Sequence, residues 1–132
     1  PEGILEFDVD GLREFGVSRQ KASYVLDLAE KVHSGAVELE SLQRQSDDAV
    51  IEILTQVKGI GVWTAQMFLM FSLGRLDIFP CDDLGIKNAI ATHYQFDELP
   101  SRSKMLEISK PWRPYSTVAS WYLWQSLDLS DD

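Results

Sequence analysis

One cysteine, Cys81, stands in a chain of 132 residues. A lone thiol excludes an internal disulfide framework and any metal cluster made of cysteines from one chain. It fits a reducing compartment. No apolar run approaches the ~20 residues that cross a bilayer, and the start lacks the basic-then-apolar pattern of a signal segment. Period-2 alternation is missing, so no segment reads as a strand. Internal repeats, low-complexity tracts and long linkers are missing too. The two histidines, His33 and His93, have no ligand spacing and read as structural or exposed. Bases are scarce: 12 Lys and Arg face 21 Asp and Glu, a net charge of −9. That balance argues against nucleic acid, because phosphate is neutralised by Lys and Arg. The distribution softens the argument, since residues 1–50 carry net −6, residues 51–95 net −1 and residues 96–132 net −2. Backbone amides at helix N-termini also bind phosphate without formal charge. The chain starts at Pro1 without an initiator Met and reads as a fragment or a processed chain.

What is present is helical periodicity. "SRQKASYVLDLAEKVHSG" has Ser18 as a cap, apolar Ala22, Val25, Leu26, Ala29 and Val32, and a stop at Gly35. "ELESLQRQ" makes a short amphipathic turn or two. "SDDAVIEILTQV" opens with Ser46, Asp47 and Asp48, an N-terminal signature. "VWTAQMFLMFSLG", "LGIKNAIATHY", "SRSKMLEIS" and "RPYSTVASWYLWQSL" follow, the last with its Pro114 at the first turn and the one before it stopped by Pro111. The expectation is an all-α bundle of about seven helices, with residues 1–132 forming one domain.

The stretch "VKGIGVWTAQMFLMF" carries two glycines between two apolar helices. A glycine inside a helix costs roughly 1 kcal/mol against alanine, so the pair marks a deliberate break. Glycine takes backbone conformations closed to other residues and permits a tight reversal. Ile60 between the glycines pins the helix pair, and Gly61 removes a side chain where the next helix begins. Amides there cradle an anion, and a phosphodiester is the obvious one. Glycine pairs alone also fit a plain turn between helices without a ligand. The full spacing of Leu54, Val57, Gly59, Ile60, Gly61 and Ala65 favours the helix-hairpin-helix pattern of sequence-independent DNA binding. Lys58 reads equally as a phosphate contact and as a solvated loop lysine.

Read on from Gly61, "GVWTAQMFLMFSLGRLDIFPCDDLGIKNAI" resembles the helix-hairpin-helix DNA glycosylase superfamily. Its closest likeness is to the alkylpurine branch, that of 3-methyladenine DNA glycosylase II. "LREFGVSRQKASYVLDLA" resembles the segment before the hairpin, and "KPWRPYSTVASWYLW" the C-terminal helix. The resemblance implies hydrolysis of the N-glycosidic bond of alkylated purines such as 3-methyladenine in duplex DNA, as in base excision repair. It implies that Asp83 is the catalytic carboxylate. A fixed carboxylate stabilises positive charge developing on the deoxyribose and orients or deprotonates the attacking water. Asp82 is expected to cap the following helix instead. Strand-cutting relatives hold a Schiff-base lysine where this chain has Trp63, so the resemblance implies a monofunctional enzyme that uses water. An indole face also suits a flipped, electron-poor base. Trp63, Met67 and Met70 form one apolar stripe, and Val62, Ala65, Leu69 and Leu73 another. A helix apolar on both sides is deeply buried or walls a pocket. Met67 reads equally as pocket and as core.

The resemblance places Trp121 in the base pocket, while Trp112, Tyr115, Tyr122 and Trp124 read as packing residues. Arg113 reads as a phosphate contact or as a brace for the carboxylate loop. Lys58, Gly59, Ile60, Gly61 and Thr64 are the expected phosphate-binding residues. No cofactor is expected, an iron–sulfur cluster being excluded by the cysteine count; a monovalent cation at the hairpin carbonyls is the one ion to look for. The implied partner is double-stranded DNA with an alkylated base, met as a monomer and without a membrane, at the bacterial nucleoid or in a nucleus. Relatives begin earlier, with a helix and a wedge loop that nothing here matches, so weak or no excision is expected of this stretch by itself. Two other readings use the same residues: a non-catalytic helix-hairpin-helix DNA-binding module, and an acidic helical interaction domain.

Overall fold

The structure, a computed structural model, describes residues 1–129. Among them there are helices and turns and no strand. Two short helices come first, α1 (Glu2–Leu5) and α2 (Val9–Arg13). Neither is long enough to display a helical period, so the sequence pattern starts only at Ser18. The seven expected segments follow: α3 (Arg19–His33), a 3-10 helix at Leu39–Arg44, α4 (Asp47–Leu54), α5 (Val62–Phe71), α6 (Leu84–His93), α7 (Arg102–Ser109) and α8 (Ser116–Asp128). A second 3-10 helix, Lys110–Trp112, takes Pro111 just after α7.

Short polar side chains set the helix starts. Ser18, Ser46 and Ser101 each accept an amide hydrogen bond of 3.2 Å from the residue three positions on. Such caps are worth about 1 kcal/mol each. Pro114 is not in the first turn of α8. It follows a cis peptide bond after Arg113, and the helix begins at Ser116. Asp77 fixes that start, accepting the Ser116 hydroxyl at 2.7 Å and its amide at 3.4 Å.

The chain groups into two compact units, Pro1–Ala65 and Gln66 onward, with the boundary inside α5. In the first unit α3 packs on α1 and α2. Ala22, Ala29, Val50, Leu54 and Val57 are buried there. Val25, expected on the apolar face of α3, is instead 40% exposed, and the acid Asp27 occupies the buried face. In the second unit α6 packs on α8. Cys81, Ile86, Ile90 and Met105 form its core, ringed by Phe79, Phe96, Ile108, Trp112, Leu123 and Trp124.

Candidate functional site

The hairpin lies between α4 and α5, in the first unit. Its two glycines differ. Gly59 has φ +81°, in the left-handed region, and a Cβ there would collide with the Tyr24 ring. Gly61 lies outside that region, and a Cβ built on it meets no atom within 4 Å. Of the two glycines, Gly59 therefore uses a conformation closed to other residues, and Gly61 serves by its missing side chain where α5 begins. The Gly61 carbonyl accepts the Ala65 amide at 3.0 Å, which makes Gly61 the cap residue of α5. As glycine it brings no side-chain oxygen to the amides of the first turn.

The turn is tied to α3. The Lys58 amide donates to Asp27 Oδ2 at 2.8 Å, and Lys31 Nζ reaches both carboxylate oxygens at 2.8 and 2.9 Å. These bonds, that of Lys31 first, hold the Asp27 carboxyl below its ordinary 3.8 despite the upward push of desolvation. The Ile60 amide donates to the Val57 carbonyl at 3.1 Å, and half-buried Ile60 joins Tyr24, Val25, Leu28 and Val57 around a small cleft. Of the five residues expected at phosphate, Lys58 and Ile60 thus have amides committed to the turn. The Lys58 side chain, Gly61 and Thr64 remain on the exposed surface.

Asp83 sits in the second unit. It, and not Asp82, caps α6: Asp83 Oδ1 accepts the Ile86 amide at 2.9 Å. The Trp124 indole donates to the same oxygen at 3.0 Å. Asp82 is turned toward cations instead, bonding Arg102, with Lys87 Nζ at 3.9 Å. The loop before the pair is held by α8, whose Thr117 hydroxyl donates to the Arg75 carbonyl at 2.7 Å and accepts the Ile78 amide at 3.0 Å. Arg113 Nε lies 2.8 Å from Asp77 Oδ2, so Arg113 braces the loop. Desolvation raises the Asp77 carboxyl, but Ser116 and Arg113 outweigh it and the net direction is down. Cys81, in the same loop, is buried, and burial pushes its thiol up.

The aromatic residues divide differently from expectation. Trp63 and Trp121 are about half exposed, at 50% and 47%. Met67 is intermediate, while Met70, Ala65 and Leu69 are buried. Val62 is exposed, so its stripe is not continuous core. Trp112 packs edge-on to Phe79 as expected, with centroids 5.5 Å apart. Tyr115 and Tyr122 are not packing residues; they are 58% and 65% exposed, Tyr122 lying edge-on to Trp121. Trp124 does pack, but it also holds Asp83. Both histidines are exposed. Among the described residues no three His, Cys, Asp or Glu side chains converge as metal ligands, and no helix is long and apolar enough to cross a membrane.

The residues missing from the sequence reading are Tyr24, Asp27 and Asp77, and Trp124 is read there as packing alone. Only the Asp27–Lys31 spacing of four, an ion pair on one helix face, was a signal within reach.

The chain is similar in sequence and in fold to known proteins. The chain is 39% identical over 132 residues to DNA-3-methyladenine glycosylase 1 of Schizosaccharomyces pombe, covering 99% of this chain and 58% of that protein. The structure of that organism's 3-methyladenine DNA glycosylase (Mag1) in complex with abasic DNA superposes with a TM-score of 0.86 at 38% identity, over 100% of this chain and 65% of that one. A DNA-3-methyladenine glycosidase from Bacillus halodurans gives 0.86 at 40% identity, over 96% and 58%. The chain spans roughly half the length of the curated relatives it matches. The family model of HhH-GPD superfamily base excision DNA repair proteins matches residues 1–114. With that match, and with the hairpin and capping carboxylate in place, the chain belongs to the HhH-GPD superfamily of base excision DNA repair proteins.

Proposed function

We propose that this protein is a monofunctional DNA glycosylase that hydrolyses the N-glycosidic bond of alkylated purines, 3-methyladenine among them, in duplex DNA. The observation that carries the reading is Asp83, a carboxylate fixed by two donors on one oxygen, in a chain of this superfamily. In the proposed reaction Asp83 stabilises oxocarbenium character on the deoxyribose and orients or deprotonates water. An alkylated purine leaves readily because it already carries positive charge. Trp63, Met67 and Trp121 are assigned to the base, and Lys58, Gly59, Ile60, Gly61 and Thr64 to the phosphate backbone. Within that group the Gly61 and Thr64 amides and the Lys58 side chain contact phosphate, and Gly59 and Ile60 shape the turn.

A monovalent cation at the hairpin carbonyls belongs to the same proposal. The Val57 carbonyl takes one amide, and a carbonyl oxygen has a second lone pair. Exchanging potassium for tetramethylammonium at constant ionic strength is expected to weaken DNA binding. The function is tested by incubating the full-length protein with methylated duplex DNA and measuring released bases. Release of 3-methyladenine is expected; DNA binding without release would support a non-catalytic module instead.

A further inference from the structure

We infer that Trp124 is a positioning residue for the Asp83 carboxylate, and that Gly85 keeps the space beside that carboxylate clear. The inference rests on the catalytic reading of Asp83. A carboxylate held only by its own helix cap keeps torsional freedom about its side-chain bonds. Here a second donor arrives from α8, 41 residues away in sequence, and meets the same oxygen as the cap amide. Two donors on Oδ1 fix the plane of the group and hence the direction of Oδ2. Hydrogen bonds to an ionised acceptor are roughly twice as strong as neutral ones. The indole is itself held, tilted 33° against the Phe71 ring at a centroid distance of 6.1 Å and packed on the second unit's core.

Gly85 completes the arrangement. Its backbone is not left-handed, so conformation does not demand glycine there. Space is tight on the carboxylate side: a Cβ would stand 3.1 Å from Asp83 Oδ1, and at ordinary contact, 3.4 and 3.5 Å, from Trp124 Cδ1 and Nε1. A methyl group at this point presses on Asp83 Oδ1 and touches the indole at ordinary contact distance. Reacting groups misplaced by small distances lose much of their rate, so orientation of the carboxylate is where this contact acts.

The test uses the full-length protein and Trp124→Phe, which keeps a ring against Phe71 and removes the N–H. Single-turnover excision of 3-methyladenine is expected to slow about tenfold, the size of one hydrogen bond to a charged group. Affinity for abasic-site DNA and the melting temperature are expected to stay as in the parent. In nitrogen–proton spectra, the indole signal lost in Trp124→Phe is expected to be the one that moves most in Asp83→Asn. Gly85→Ala is expected to slow excision while keeping both partners. An unchanged rate in Trp124→Phe beside an inactive Asp83→Asn overturns the positioning role and leaves the catalytic reading standing. Parallel loss of rate, affinity and melting temperature in Trp124→Phe makes the residue merely structural and also overturns it. Full activity in Asp83→Asn removes the catalytic reading itself.

Discussion

Gly59 and Gly61 stand two positions apart and answer to different forces. Gly59 has a left-handed φ and faces the Tyr24 ring, so alanine there meets both strain and a clash. Gly59→Ala is expected to lower stability by at least ~1–3 kcal/mol in denaturant titrations. Gly61 meets no protein atom, so alanine there costs stability only ~1 kcal/mol or less, as a poorer cap. Its DNA affinity is nevertheless expected to fall, because the new methyl stands where phosphate would approach. Unchanged affinity in Gly61→Ala would make the second glycine a plain turn residue. The pair is legible in sequence, but its division of labour is not, because Tyr24 comes from a distant helix. Trp63 carries a separate residue-scale prediction. With no Schiff-base lysine at this position, borohydride is expected to trap no covalent protein–DNA adduct, and a trapped adduct would overturn the water mechanism.

Between elements, the ties are single polar contacts across long sequence distances. Asp27 on α3 holds the Lys58 amide of the hairpin and pairs with Lys31. Its carboxyl is depressed in the folded state, so the stabilisation is complete above the ordinary value of 3.8 and is lost as pH falls through the lower folded value. Asp27→Ala removes the acceptor and leaves the Lys58 amide without it. Lower melting temperature and weaker DNA binding are expected, and the parent-minus-variant stability gap is expected to shrink only below pH 4. A gap that instead shrinks near neutral pH would assign the effect to another group. Helix starts with a serine or paired acids were readable because capping is local chemistry. The order of Asp82 and Asp83 was not, since either residue has the right side chain. The choice is made by Arg102 and Lys87 drawing Asp82 away, and by Trp124 meeting Asp83. Pro114 misled for the same reason: the start of α8 is set by Asp77, far back in the chain.

For the whole molecule, net charge stands against the proposed DNA partner. At −9 the chain has little to offer phosphate by Coulomb attraction, and the acids crowd into residues 1–50. The proposed binding through backbone amides accommodates this, and it predicts a shallow salt dependence. Lys58→Ala is expected to reduce the slope of log affinity against log salt by about 1, the signature of one lost phosphate contact. An unchanged slope would make Lys58 a solvated loop residue. The superfamily was legible because its marks are ordered and local: the hairpin spacing, then Trp63, then the acid pair, then the aromatic C-terminal helix. The network that orients the carboxylate was not, being assembled by folding from residues without a motif. The central claim is that Asp83 performs the chemistry. Its most direct test is the single-turnover rate of 3-methyladenine release by the full-length protein and by Asp83→Asn, with binding of abasic-site DNA measured alongside. A loss of about 10²- to 10⁴-fold in rate with binding retained is the predicted result; equal rates would contradict the account.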